Sequence, residues 1–342
     1  MGIVIISTGG TIASLPDGET GAVRSVISAP DLLATVPGID RFGPIRVEEI
    51  VRVNGWNVTP DTMAAVARQT IAALEDDDVT GVVVTHGTDT IEETAFFCDL
   101  TVASPKPVVV VGAIRSSNQV GADGPRNMLN ACLLAGHPRM RGYGTVLTMN
   151  DEFHAARWVR KLDSVRVSAF ASPDRGPLGL VTPEALRLLA PPNARLILPL
   201  PASVEVSVPV LKTYTGMDEG ILETVLKTTG ARGLIIEGTG LGNVPGVIVP
   251  EIRSAIEDGV IVAIATRTDS GGTGPIYGGD GGVATLHGAG VLEAGELTAA
   301  KARLLLVLVL SEHTEPVAAR KAFESAVAAL VSTVTEPIGV QQ

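Results

Sequence analysis

Residues 82–93 read Val82-Val83-Val84-Thr85-His86-Gly87-Thr88-Asp89-Thr90-Ile91-Glu92-Glu93. Three consecutive valines are what a strand buried on both faces uses, because branched side chains pack well on a pleated surface. Gly87 interrupts the run. Thr90-Ile91-Glu92-Glu93 then reads as a capping box that opens a helix through Val102. Strand, tight turn and helix therefore follow one another directly. The same succession recurs after Ile3-Val4-Ile5-Ile6, Val108–Val111, Val146-Leu147-Thr148, Leu234-Ile235-Ile236 and Val260–Ile264. Strands alternating with helices specify βαβ units and mainly parallel sheets, an α/β fold.

Further helices are predicted from Thr59-Pro60 through Ala73, from Pro250-Glu251, from Lys301 through Leu310, and from Val317 to Val331. The chain has 342 residues, more than one core usually holds, so two domains are expected. The Pro-rich stretch Leu189-Ala190-Pro191-Pro192-Asn193-Ala194, with Pro199 and Pro201 beyond it, is the linker candidate. The division is placed as a larger N-terminal catalytic domain over 1–190, a linker over 191–212, and a smaller α/β domain over 213–342.

Composition excludes several classes. Hydrophobic residues are 45% and charged residues 18%, the balance of a folded chain and not of a disordered one. The net charge of −11 repels phosphate backbones and anionic lipid, so neither nucleic acid nor membrane is an expected partner. The apolar run 304–310 is far shorter than a membrane span. The first residues read as a core strand and not as a signal peptide. Two cysteines, Cys98 and Cys132, form no disulfide scaffold and suit a reducing cytoplasm. Five histidines, at 86, 137, 154, 287 and 313, show no metal-ligand spacing; His86 is expected to order its turn by hydrogen bonds. The acidic run Glu75-Asp76-Asp77-Asp78 reads as a solvated helix end.

Ligands of open parallel sheets bind at the carboxyl ends of the strands. Two such ends carry chemistry. Ser7-Thr8-Gly9-Gly10-Thr11-Ile12 follows the first strand, where two glycines admit close backbone approach and the hydroxyls of Thr8 and Thr11 are expected at the mouth. Thr88 and Asp89 follow the strand quoted above and stand at a helix N-terminus, whose free N–H groups favour developing negative charge.

STGGTIAS at 7–14 and VVVTHGTDTIEETAFFCDLTV at 82–102 resemble the two signature segments of the bacterial-type asparaginase/glutaminase amidohydrolases. The resemblance continues through 112–117, 122–125, Met149-Asn150-Asp151, 172–179 and 297–303. It implies that the nucleophilic threonine is Thr11 and that a second triad is Thr88, Asp89 and Lys161. It further implies an acyl-enzyme: one threonine attacks a side-chain amide, ammonia leaves, and water hydrolyses the ester. Which threonine attacks first is left open. Backbone N–H groups near Gly10 and Thr88 would hold the oxyanion, and Asp89 would pair with a substrate α-ammonium. No metal or cofactor is required. A threonine hydroxyl needs a base or a proton path, and a partly desolvated lysine beside Asp89 can provide one.

Two departures from the family pattern stand out. Residues 12–24 contain no tyrosine, and Arg24 is the candidate for the lid role in a Gly-rich polar loop. In Val53-Asn54-Gly55-Trp56-Asn57-Val58, Gly55 occupies the place of a serine that grips the substrate carboxylate. Gly55, Trp56 and Asn57 are the substrate-binding candidates here, and Trp56 either reshapes the pocket or packs a core edge. The family completes its site from a neighbouring subunit, for which Asn243, Tyr277 and Asp280 are the candidates, in a homotetramer built as a dimer of dimers. The implied reaction is hydrolysis of L-asparagine. The alternatives are L-glutamine or another small carboxamide, and, in a different class, a non-catalytic small-molecule sensor on the same fold.

Overall fold

The computed structural model describes residues 2–9, 14–16, 23–25, 33–182 and 184–331. The chain divides into two compact units, Met1–Glu205 and Val206–Gln342.

The strands of the first unit are β1 (Gly2–Gly9), β2 (Ser14–Pro16), β3 (Val23–Ser25), β4 (Ile45–Val53), β5 (Val79–Thr85), β6 (Val108–Val111), β7 (Thr145–Met149), β8 (Glu152–Ala155), β9 (Arg160–Lys161), β10 (Phe170–Ala171), β11 (Gly179–Val181) and β12 (Leu186–Leu188). Eight of them form one sheet in the order β12-β11-β8-β7-β6-β5-β1-β4. From β4 to β7 the sheet is parallel, and β8, β11 and β12 run antiparallel. The inner parallel strands β1, β5, β6 and β7 are buried on both faces, as their apolar runs require, while β4 at the edge is only partly covered. Pairing aligns Ser7 with Thr85, Thr85 with Val111, and Val111 with Thr148, so the carboxyl ends of four strands lie level.

Among the described residues this sheet is covered by α1 (Pro60–Glu75), α2 (Ile91–Thr101) and α3 (Gly124–Gly136). Thr59 caps α1 by accepting the Thr62 N–H, with Pro60 at the first helical position. The acidic run at 75–78 is exposed, and the Lys106 ammonium donates to the Leu74 and Asp76 carbonyls there. The chain reverses between β7 and β8 at Asn150 and Asp151, both at positive φ (52° and 65°), the left-handed pair that a two-residue hairpin uses.

The capping box expected at Thr90 does not form. The Thr90 hydroxyl makes no bond to the first turn of α2; it donates to the Gly55 carbonyl at 2.6 Å. The stretch expected as a linker straddles the division at 205/206. Its first part is fastened to the first unit: Arg195 donates to Asp99 Oδ1 and to the Asp99, Val102 and Ser104 carbonyls, and Leu198 N–H donates to the Leu100 carbonyl.

The second unit holds a four-stranded parallel sheet of β13 (Val210–Lys212), β14 (Gly233–Gly238), β15 (Ile261–Thr266) and β16 (Leu292–Glu293), in that order. Its helices are α4 (Ile221–Thr229), α5 (Val249–Glu257), α6 (Val283–Gly288), α7 (Ala299–Glu312) and α8 (Pro316–Leu330). Leu234, Ile236, Ile252, Ile264 and Leu286 are central to its core. The apolar run 304–310 belongs to α7, buried almost throughout and capped by the Thr298 hydroxyl. Among the described residues no helix is long and apolar enough to cross a membrane.

Candidate active site

Where β5 ends, the chain turns into α2 through His86, Gly87, Thr88 and Asp89. His86 is fully buried. Its backbone N–H continues the ladder to the Val111 carbonyl. Its Nδ1 lies 2.7 Å from the Gly87 carbonyl, which only accepts, so this nitrogen carries the proton and Nε2 accepts from the Thr94 hydroxyl at 2.8 Å. Burial pushes the imidazole pKa down to about 4, so the ring is neutral near pH 7. It orders the turn from inside.

That turn presents Thr88, which is buried. Its Cγ2 faces Gly112, where a Cβ would come within 3.0 Å; a glycine there leaves room for the threonine. Lys161 Nζ donates to Thr88 Oγ1 at 2.9 Å and to Asp89 Oδ1 at 2.7 Å. The Lys161 side chain is 16% exposed and that of Asp89 48%, so the ion pair runs from a sheltered ammonium to a carboxylate open to solvent. Thr88, Lys161 and Asp89, expected together, stand in one hydrogen-bonded chain. Such a chain can move a proton between the threonine oxygen and the lysine nitrogen beside a carboxylate that balances the charge.

Lys161 comes from β9, which among the described residues pairs with β10 alone, Lys161 opposite Phe170. Its backbone N–H donates to Glu92 Oε2 at 2.5 Å. Glu92 is a site-building residue that sequence reasoning missed. In the chain it reads as an acid favoured by the first turn of a helix, with no sign of a partner so distant. Asp123 and Asn127 were likewise not singled out. Asp123 accepts the Ile114 and Arg115 N–H groups, and Asn127 joins the Gly112 carbonyl to the Asn150 N–H, so the loop after β6 and the turn after β7 are tied together.

The Thr8 hydroxyl is not free at the mouth. It is buried and donates to the Thr85 carbonyl at 2.9 Å, tying β1 to β5. Gly10 and Thr11 lie outside the described residues. The backbone of Arg24 pairs opposite Leu15 in the small β2–β3 hairpin.

Gly55 packs against the Gly87 backbone; a Cβ there would sit 3.0 Å from the Gly87 carbonyl oxygen. Trp56 follows, 65% exposed, so it does not pack a core edge; Asn57 is exposed beside it. In the second unit, Asn243 Oδ1 accepts the Val283 N–H at the start of α6, and Val244 N–H donates to the Gly281 carbonyl. These bonds bring Asn243 to the Gly-rich loop that carries Tyr277 and Asp280, both exposed. Among the described residues no group of three or more His, Cys, Asp or Glu is arranged to hold a metal ion.

Comparison with known proteins gives this geometry its context. Residues 2–194 match the family model described as asparaginase, N-terminal, and residues 207–323 match the glutaminase/asparaginase C-terminal domain. The chain is 33% identical over 323 residues to L-asparaginase 2 of Bacillus subtilis, covering 92% of this chain and 84% of that protein. It is 31% identical over 278 residues to the glutaminase-asparaginase of Pseudomonas fluorescens, covering 79% and 76%. Its fold is similar to the crystal structure of a probable cytoplasmic L-asparaginase from Campylobacter jejuni, with a TM-score of 0.83, 31% identity, and 94% and 98% of the two chains covered. The chain therefore belongs to the bacterial-type L-asparaginase/glutaminase family, hydrolases that act on amides.

Proposed function

We propose that this enzyme hydrolyses L-asparagine to L-aspartate and ammonia through a threonine acyl-enzyme. The single observation that carries the reading is the Lys161 ammonium, 2.9 Å from Thr88 Oγ1 and 2.7 Å from Asp89 Oδ1. Thr11 is the nucleophile in this reading. Its Oγ bonds to the amide carbon, the hydroxyl proton passes to the amide nitrogen by way of Thr88 and Lys161, and the C–N bond breaks to release ammonia. Water then adds to the ester along the same path, and aspartate leaves. Backbone N–H groups near Gly10 and Thr88 hold the oxyanion. Asp89, half open to solvent, takes the substrate α-ammonium.

Gly55 favours a second substrate reading. It offers no hydroxyl to a carboxylate, and it packs tightly on the Gly87 backbone. L-glutamine or another small carboxamide is the alternative, with exposed Trp56 and Asn57 at the rim. A homotetramer, as a dimer of dimers, fits the exposed Ile276 and Tyr277 of the second unit, which with Asp280 and Asn243 would complete a neighbour's site. A cytoplasmic setting fits two free, buried thiols.

Ammonia release from asparagine, glutamine and unrelated small amides tests the reading, with T11A, T88A and K161A beside the unaltered enzyme. Asparagine is expected to turn over fastest. Removing a proton-transfer group is expected to lower kcat by about 10²–10⁴. Undiminished turnover in T11A removes that residue as nucleophile. Ligand binding with no turnover of any amide favours the sensor.

A further inference from the structure

β9, which carries Lys161, is short, and the Glu92 carboxylate that accepts the Lys161 N–H ties it at one point to the start of α2. With β10 it forms a ribbon of two residue pairs, separate from the eight-stranded sheet. A two-stranded ribbon is marginal by itself, so what fastens its roots decides where its side chains stand.

At the first root, the Trp158 and Val159 N–H groups both donate to the Ala155 carbonyl, at 3.0 and 3.1 Å. At the second, Ser172 directly follows β10. Its hydroxyl, buried, lies 3.0 Å from Nδ1 of His154. His154 belongs to β8, inside the main sheet, and is itself buried. Its Nε2 lies 3.3 Å from Glu152 Oε2. A carboxylate takes the proton on Nε2, which leaves Nδ1 as the acceptor and the Ser172 hydroxyl as the donor. The two roots are also joined to each other, by the Arg175 guanidinium 4.8 Å over the Trp158 ring.

We propose that Ser172 and His154 are positioning residues: their buried hydrogen bond locks the root of the ribbon into the main sheet and thereby sets the Lys161 ammonium against Thr88 and Asp89. Neither touches the reacting groups. The serine hydroxyl takes no part in strand pairing, and among the described residues the imidazole bonds to the Glu152 and Ser172 side chains alone. Displacing a proton-transfer group by about 1 Å is enough to cost about 10²-fold in rate.

This inference rests on the proposed role of Lys161, and a double-mutant cycle separates the two. S172A, K161A and the double variant are compared in kcat, KM, melting temperature and crystal structure. S172A is expected to lower kcat by about 10- to 100-fold with KM nearly unchanged. Once Lys161 is gone, adding S172A is expected to cost nothing further. An equal loss in both backgrounds, or unchanged kcat in S172A, overturns the proposal. Full activity in K161A sinks the role of Lys161 instead. In that case the S172A crystal structure decides: a displaced ammonium sustains the positioning role, and an ammonium still bonded to Thr88 overturns it.

Discussion

Glu92 and Lys161 meet through the main chain: the Glu92 Oε2 atom accepts the Lys161 backbone N–H at 2.5 Å, across 69 residues of sequence. Thr88 and Asp89, just before the same helix, take the ammonium of that lysine. One helix start therefore fixes both ends of the residue, its backbone by a carboxylate and its side chain by a hydroxyl and a second carboxylate.

Replacing Glu92 by alanine leaves that N–H without its acceptor, at a cost of about 1–3 kcal/mol. E92A is expected to lower kcat and the urea midpoint together. E92Q keeps an oxygen acceptor and is expected to retain most of both. Steady-state kinetics and urea unfolding on the pair check this; equal behaviour of E92A and E92Q would show that the bond does not matter.

Burial holds the folded-state pKa values of both His86 and His154 near 4, below the ordinary 6.5. Between those values the unfolded chain binds protons that the folded chain refuses. Their contribution is thus complete above about pH 6.5 and is lost as pH falls toward 4, at up to about 1.4 kcal/mol per pH unit for each histidine. Glu152, whose carboxyl burial raises, works in the opposite sense and offsets part of the loss. The melting temperature is expected to fall from pH 7 to pH 5, and H154N is expected to show a shallower fall.

A Cβ on Gly55 would stand 3.0 Å from the Gly87 carbonyl oxygen, so the neighbouring backbone must give by a few tenths of an ångström to admit it. Because the atoms it would meet are backbone, G55A must shift the loop that precedes Thr88. A stability loss of about 1–3 kcal/mol is expected, with reduced turnover. Thermal unfolding and ammonia release check it; a G55A protein as stable and active as the parent would show that the loop yields freely.

Cys98 and Cys132 are buried, and burial pushes both thiols up to about 12. Neither is expected to react with a thiol reagent at pH 8 in the folded enzyme, and both are expected to react in denaturant. Rapid labelling of the native protein, followed by mass spectrometry, would contradict this.

The core strands β1, β5, β6, β7, β14 and β15 and most helix starts were legible in the sequence because local chemistry determines them, whereas the short or edge strands, β4 and β8 to β12 among them, carry no such run. Valine runs fixed β5 and β6, and Thr59-Pro60 fixed the start of α1. Thr88 and Asp89 were legible as a strand end meeting a helix start. Lys161 was found only through family likeness, since its partners lie 72 and 73 residues away and no periodicity connects them. Thr90 was misread for the converse reason: its local pattern is that of a cap, but the distant Gly55 carbonyl claims the hydroxyl. The Pro-rich stretch after 190 looks like a free connector until Arg195 is seen on Asp99 and the carbonyls at the end of α2. Local grammar cannot announce a contact between segments a hundred residues apart.

The ribbon bearing Lys161 stands outside the main sheet and is fastened by side chains and a few turns. Opening it uncovers Val159, Ala169 and Phe170, whereas opening the valine-packed strands uncovers the whole interior of the sheet. Its detachment is therefore a cheap, sub-global event that can precede cooperative unfolding. Inactivation and denaturation become separable in this enzyme: mild denaturant can silence it while its spectroscopic signature is still that of an intact fold, and dilution alone then brings the activity back.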